Sequence, residues 1–490
     1  KKHMTNTPLS RKLGLMGLIA TGACSMIGAS INIMPFMIQR NVPGIGPFVL
    51  PAFMFAALPA LLAAMAYGLL ATAMPRAGGS YHYVSRGVNT YLGFVASFSQ
   101  WFGLSIVIGV VAYMIIPFFR DIALTMNWAS GAKALETGFV RVGLALALLW
   151  FFAWVNIRGG KFYERTIIPL MLLMFLLGSI VIIAGFSFSQ QDFLLALEQK
   201  EGRTFDLNIN PSFDLLTFLS ASSLMFASFI GFESIAQAGG EAKNPDRNLP
   251  LAIALTILVV GIYYLLFTGA VYHAIPWSYV ADEAQTKDIS APGMLSYLLP
   301  SGLSVAIVAG AAVALTNDLP AMLLSVSRLL FAWSEDGIFP KAITTLHPLH
   351  QTPYVAILIS GGVATVGILG SHFAGDFFLG IDIMVTSMMV NFLLICVALI
   401  SIDRVNPALA SQIKRVKNPI QRKIIGWAGA LVIAFFLAIH TYKDLNARVD
   451  AWYFHSTPIW GIVMALASLY WGYITFFSGR TPRTLINDQP

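Results

Sequence analysis

Twelve windows of about 20 residues with few or no charges run along this chain, and they leave it little choice of fold. They fall at 13–38, 45–73, 92–119, 138–157, 166–186, 215–238, 249–274, 302–330, 353–371, 377–401, 425–441 and 457–477. In lipid every backbone N–H and C=O must be satisfied within the protein, so each window is expected to be a helix. Apolar residues make up 57% of the 490 and charged residues 11%, against roughly 25% charged in a soluble domain. The expected class is an all-α integral membrane protein with twelve transmembrane helices. The stretches between windows are too short for a soluble domain, so the helices themselves must carry the function. The two longer outer stretches, 187–214 and 275–301, suit partly ordered loops or short surface helices.

The net charge of +7 could suggest an anionic partner such as nucleic acid, but the placement of Lys and Arg accounts for it as a topology signal. Basic residues concentrate in alternate loops, as at Arg158, Lys161 and Arg165 and again at Arg404, Lys414, Arg415, Lys417, Arg422 and Lys423. By the positive-inside rule this predicts cytoplasmic N- and C-termini in a cell (inner) membrane. The first apolar run lacks a small-residue cleavage pattern and is expected to remain as a signal anchor. Cys24 and Cys396 both fall inside apolar windows, so no disulfide-linked subunit is expected.

Two windows carry interruptions. The first reads Gly22-Ala-Cys-Ser25-Met-Ile-Gly28-Ala29-Ser30-Ile-Asn32-Ile-Met-Pro35, and the sixth reads Ala227-Ser-Phe229-Ile230-Gly231-Phe-Glu233. They stand five spans apart, and breaks at matching places in two five-helix halves point to an inverted repeat with a binding site at mid-membrane. Close helix packing through small residues is the alternative for Gly28, Ala29 and Ser30. Pro35 and Asn32 favour a second half-helix that starts near Ala29 or Ser30. Such a start presents free N–H groups and a positive dipole end, suited to a carboxylate.

Only Glu233 and Asp318 lie well inside the windows; Arg141, Arg328 and Asp382 sit nearer their ends. A central Asp costs about 2.5–3.5 kcal/mol on insertion scales, whereas each Leu, Ile, Phe or Val returns roughly 0.3–0.6, so the eighth window can still insert. Intramembrane carboxyls of this kind are functional candidates. Glu233 either holds the break in the sixth helix by accepting from nearby N–H groups or couples that break to a gate. Asp318, beside Asn317, either bonds structurally between helices 1 and 8 or serves ion coupling.

Four separated motifs now resemble the amino acid, polyamine and organocation (APC) superfamily of permeases. They are Ile27-Gly-Ala-Ser-Ile31, Pro75-Arg-Ala-Gly-Gly-Ser-Tyr-His-Tyr83, Gly231-Phe-Glu233 through Lys243-Asn-Pro245, and Ser327 through Gly337-Ile-Phe-Pro340 with His347-Pro and Thr352-Pro353. The resemblance implies a LeuT-type 5+5 inverted repeat, with 13–186 and 215–401 as the two halves, broken helices 1 and 6, and peripheral helices in 425–477. It implies a secondary transporter that moves amino acids by alternating access, coupled to a proton or sodium, with a polyamine or cationic amino acid exchanger as the alternative and a non-transporting sensor behind both.

On that pattern the substrate carboxylate meets the N–H groups of Gly28, Ala29 and Ser30, and its ammonium meets carbonyls near Ala227, Phe229 and Ile230. Ser25, Ile27 and Gly231 complete the breaks, while Trp101, Ser105 and Met322 wall the side-chain region. Asp318 with Asn317 would serve the coupling ion, a proton or a sodium, and Glu233 the gating. Relatives often carry a second glycine at the position of Ser30 and an aromatic residue at that of Asn32. Some proton-coupled relatives carry a lysine in helix 5, and residues 166–186 contain no ionisable side chain. The histidines are scattered, with no His-x-x-x-His pair or Cys/His cluster, so neither an enzyme nor a cofactor is expected.

Overall fold

A computed structural model describes residues 9–205, 212–374, 377–449 and 451–476, without the side chains of Ala29, Ser30, Ala374, Phe377 and Phe378. Among these residues the structure is helical, and twelve helices are long and apolar enough to cross a membrane. In chain order these spans, numbered 1 to 12, are Leu15–Asn41, Gly46–Ala73, Thr90–Thr125, Gly138–Ile157, Gly160–Ser187, Leu215–Gln237, Pro245–Ala274, Ser301–Glu335, Tyr354–Phe373, Leu379–Val405, Pro419–Asn446 and Ser456–Phe476. An even number of crossings returns the chain to the side where it began, here termed the N-terminal side.

Spans 1, 3, 6, 8 and 10 are the most enclosed, and spans 4, 5, 9, 11 and 12 the most open to lipid. This ordering explains where polar residues are tolerated. Asn32, Gln39, Gln100, Gln237, Asn317, Asp318 and Asn391 are all buried in the enclosed spans, where protein groups rather than hydrocarbon surround them.

Beyond the spans, Gln190–Glu201, Trp277–Thr286 and Ala291–Leu295 form short helices on the side opposite the N-terminus. The first opens with a reciprocal capping box between Ser189 and Asp192, which satisfies orphan N–H groups of its first turn. On the N-terminal side Gly79–Gly87 forms a buried helix between spans 2 and 3, entered through Gly78 at φ +71°. A Cβ at Gly78 would meet the Arg328 carbonyl at 2.8 Å, so only glycine fits there.

Helix boundaries revise two expectations. Span 5 begins at Gly160 and so takes in Lys161, Glu164 and Arg165, although the apolar stretch 166–186 is uncharged. Glu164 accepts from the Gly14 N–H at the entry to span 1. The basic stretch after span 10 is only partly a loop: Arg404 lies in span 10, Arg422 and Lys423 lie in span 11, and buried Arg422 pairs with Asp403. Apolar windows miss such ends because charged residues there reach water while their backbone stays helical.

Candidate functional site

Span 1 is broken at Gly28, whose backbone (φ −35°, ψ −132°) leaves the helical region inside an otherwise helical run. Pro35, seven residues on, lacks the N–H that a continuous helix would use. Ala29 and Ser30 follow with helical backbone, and their side chains lie outside the described residues. The half-helix after Gly28 therefore starts where the sequence places it.

Span 6 is broken more openly. A helix Leu215–Met225 tightens into a 3-10 turn Phe226–Phe229, Ile230 is extended (ψ 135°), and a second short helix runs Glu233–Gln237. Gly231 sits between them at φ +136°, a conformation that side-chain-bearing residues rarely take. Glu233 secures the break locally: its Oε2 accepts from the Gly231 N–H at 2.8 Å, and its side chain is fully buried.

The two breaks pack on one another. A Cβ at Gly231 would stand 2.7 Å from the Met26 nitrogen and against the Ser25 carbonyl, so the missing side chain is what permits contact. Ser25 and Ser234 join the spans through their hydroxyls at 3.1 Å. Tyr264 of span 7 adds a clamp: its one hydroxyl proton is shared between the Met26 carbonyl and the Ser228 carbonyl, the latter at 2.8 Å. Both carbonyls lie beside a break, where helical acceptors lose their usual donors.

Span 8 brings Asp318 to the first break. A Cβ built on Gly28 would fall on the Asp318 carboxylate, so the acid lies directly against the glycine backbone. Pro320 interrupts the hydrogen-bond ladder of span 8 two residues later, and the Pro320 carbonyl accepts from Asn156 of span 4 at 3.1 Å. Asn317 is fully buried beside the acid and its Nδ2 reaches the Met174 sulfur of span 5 at 3.7 Å. Met322, four residues after Asp318, shares its helix face and is buried. Ser105 is buried with no hydrogen-bond partner for its hydroxyl among the described residues.

One expectation for the pocket needs correction. Trp101 packs its ring against Phe98 and Trp333; Trp333 lies 15 residues beyond Asp318 along span 8, about 22 Å at the helical rise. Trp101 therefore belongs to an aromatic cluster near the C-terminal end of span 8, on the N-terminal side of the protein and away from the break. The Phe229 side chain turns to the rings of Phe53 and Tyr264, and the carbonyl role expected of this residue belongs to its backbone. Ala227's carbonyl accepts from the Ile230 N–H at 3.2 Å, and its second lone pair can still take a further donor. Ile27, by contrast, is buried directly before Gly28.

Sequence reasoning also passed over a fully buried polar network on the N-terminal side of the breaks. The Tyr67 hydroxyl pairs with Ser80 at 2.6 Å, Asn391 Nδ2 donates to the Tyr67 hydroxyl at 2.7 Å, and Gln237 Nε2 reaches Ser80 at 2.5 Å. Asn391 and Gln237 both approach Gln100 Oε1, at 3.2 and 3.4 Å. The signal was available, because three amides inside apolar spans are as costly as an unpaired hydroxyl unless they find each other.

Polar contacts tie separate segments together on the N-terminal side. Leu13 and the segment after span 6 pair as Leu13 N to Glu241 O at 2.9 Å and Lys243 N to Leu13 O at 2.8 Å. Arg328 and Glu241 form a buried ion pair at 2.6 Å. Asp336 accepts from Tyr81 at 2.7 Å and from Arg86 at 2.8 Å. Burial alone would raise the Asp336 pKa, but the Arg86 hydrogen bonds and charge, with Tyr81, hold it below the ordinary 3.8. On the opposite side a cavity of about 460 Å³ lies among Ile33, Met37, Val110, Tyr113 and Arg141. Arg141 stacks over the Tyr113 ring at 3.7 Å there, a favourable cation–π contact.

Among the described residues no group of three or more His, Cys, Asp or Glu side chains is placed to hold a metal. Cys24 and Cys396 are free thiols, both buried.

Comparison with known proteins adds the family. The family model described as amino acid permease matches residues 13–484. A branched-chain amino acid permease of Bacillus subtilis is 25% identical over 74% of this chain and 75% of its own length. A vacuolar cationic amino acid transporter of Arabidopsis thaliana is 26% identical over 73% of this chain, which spans 58% of that relative. A methylthioribose transporter of Bacillus subtilis is 25% identical over 74% and 75%. Matched over nearly all of its length, and with twelve membrane-crossing helices, the chain belongs to the amino acid permease family of the APC superfamily.

Proposed function

We propose that this permease is a secondary active transporter that moves an amino acid by alternating access, with a proton or sodium ion supplying the driving force. The observation that carries the reading is the meeting of two broken spans, Gly231 on the backbone of Ser25 and Met26, with Asp318 against Gly28. Opposed half-helix ends offer N–H groups to a carboxylate and carbonyls to an ammonium without any charged side chain. In this reading the substrate lies along Gly28, Ala29, Ser30 and Ile230, with Ser105 and Met322 beside it, and residues 13–186 and 215–401 act as inverted halves. Asp318, with Asn317, serves the coupling ion. The N-terminal side faces the cytoplasm, as the basic loops argue, and the cavity around Ile33 and Tyr113 is the outer approach.

A cationic amino acid or polyamine is the second substrate reading. Asp318 favours it as a carboxylate next to the break, and cationic amino acid transporters are among the relatives. Uptake of labelled leucine, alanine, arginine and putrescine into proteoliposomes, under imposed pH and sodium gradients, tests both. Accumulation of one compound under one gradient supports transport and names the ion. Binding without flux under every gradient would instead identify a sensor.

A further inference from the structure

An apolar groove lies outside the transport path. It holds about 710 Å³ on the lipid-facing flank between spans 2, 7 and 11. Its walls include Leu61, Met65, Leu258 and Ile262, all of them exposed. Along span 7 it runs from Pro250 to Leu265, about 22 Å at the helical rise, which covers the ~15 Å half-thickness of a bilayer core. Such a groove cannot stay empty in a membrane.

Its polar end selects the occupant. Arg415 lines the groove on the N-terminal side, is exposed, and forms no ion pair among the described residues. Neighbouring Lys414 is already engaged with Asp246, so Arg415 is the basic side chain that the groove itself presents at the membrane surface. Phe229 closes the inner wall, and its ring touches Phe53 and Tyr264. The groove thus reaches the broken part of span 6 through one aromatic contact.

We propose that an anionic glycerophospholipid binds here, its phosphate on Arg415 and one acyl chain along spans 2 and 7 against Phe229. The site stands whichever solute the protein carries. A lone basic side chain at a membrane surface favours an anionic headgroup by about fivefold, and the enclosing walls add retention that ordinary boundary lipid lacks.

The full-length protein reconstituted in vesicles of phosphatidylcholine and phosphatidylglycerol in equal parts, then extracted in mild detergent, provides the test by native mass spectrometry of retained lipid. The wild type is expected to keep phosphatidylglycerol about fivefold over phosphatidylcholine. Arg415→Gln should remove that preference while a lipid is still retained. Gly261→Phe should lower retention of both lipids, because a Cβ at Gly261 meets nothing within 4 Å and the ring can fill the groove. Gly472→Phe on span 12, also in open space, and Lys133→Gln should behave as wild type. Equal retention of the two lipids by the wild type, an unchanged preference in Arg415→Gln, or full retention in Gly261→Phe would each overturn the proposal.

Discussion

The carboxylate of Asp318 occupies the space that a side chain on Gly28 would need. Span 8 thus places its acid on the one residue of span 1 whose backbone leaves the helix. Contact this close makes the two positions interdependent. Gly28→Ala should abolish transport and lower the melting temperature, and adding Asp318→Ala should recover part of the stability without recovering transport. Thermal melting and uptake of the same three proteins check this, and a stable, active Gly28→Ala protein would contradict it.

Asp318→Asn keeps the shape of the side chain and removes its capacity for charge. On the coupling reading it should abolish concentrative uptake while leaving binding or exchange measurable. Counterflow and gradient-driven uptake, measured in parallel, separate the two; normal accumulation in the variant would sink the coupling role.

Tyr264→Phe deletes one hydroxyl and keeps the ring against Phe53 and Phe229. The Met26 and Ser228 carbonyls then lose a donor in a buried setting, at a cost of about 1–3 kcal/mol. Lower stability with a reduced turnover rate is expected, whereas Tyr263→Phe next door should change transport far less. Equal effects from the two would mean that the ring, not the hydroxyl, matters.

Glu233 accepts from Gly231, and a Gln oxygen can do the same. Glu233→Gln should therefore fold and transport with modest loss, while Glu233→Ala should lose about 1–3 kcal/mol for the orphaned N–H. If the glutamine variant instead shifts the pH profile of transport, Glu233 is a gating group and more than a local brace.

The polar contacts on the N-terminal side have a pH dependence of defined sign. Burial, then the Arg86 charge, pushes the His82 pKa down from 6.5 to about 3, so the folded protein resists a proton that the unfolded chain accepts. Its contribution is complete above pH 6.5 and is lost as pH falls toward 3. Asp336, held below 3.8, acts in the same direction at still lower pH. The melting temperature should fall over this interval, and His82→Phe should flatten the part that begins near pH 6.5. An unchanged slope in that variant would place the acid sensitivity elsewhere.

Much of the architecture was legible in the chain because lipid imposes a simple rule on backbone polar groups, and a run of apolar residues has one way to obey it. The break at Gly28 was legible too, from a glycine followed by Pro35, as was the break at Gly231, from a glycine two residues before Glu233. Both signals are local, set by conformational freedom along a few residues. Trp101 was misplaced for the opposite reason: a residue's depth in a helix can be counted, but the direction it faces depends on how that helix turns against span 8. Tyr264 and the Gln100–Gln237–Asn391 network were missed because their partners come from separate spans.

Twelve helices, the two places where helices give way, and the intramembrane carboxyls that need a reason to be there can all be read along the chain. That Gly231 seats on Ser25 and that Asp318 reaches Gly28 came from the packed structure. Helix formation depends on neighbours a few residues away, whereas these contacts depend on the rotation and depth at which whole spans pack, and no local stretch of residues encodes that alone.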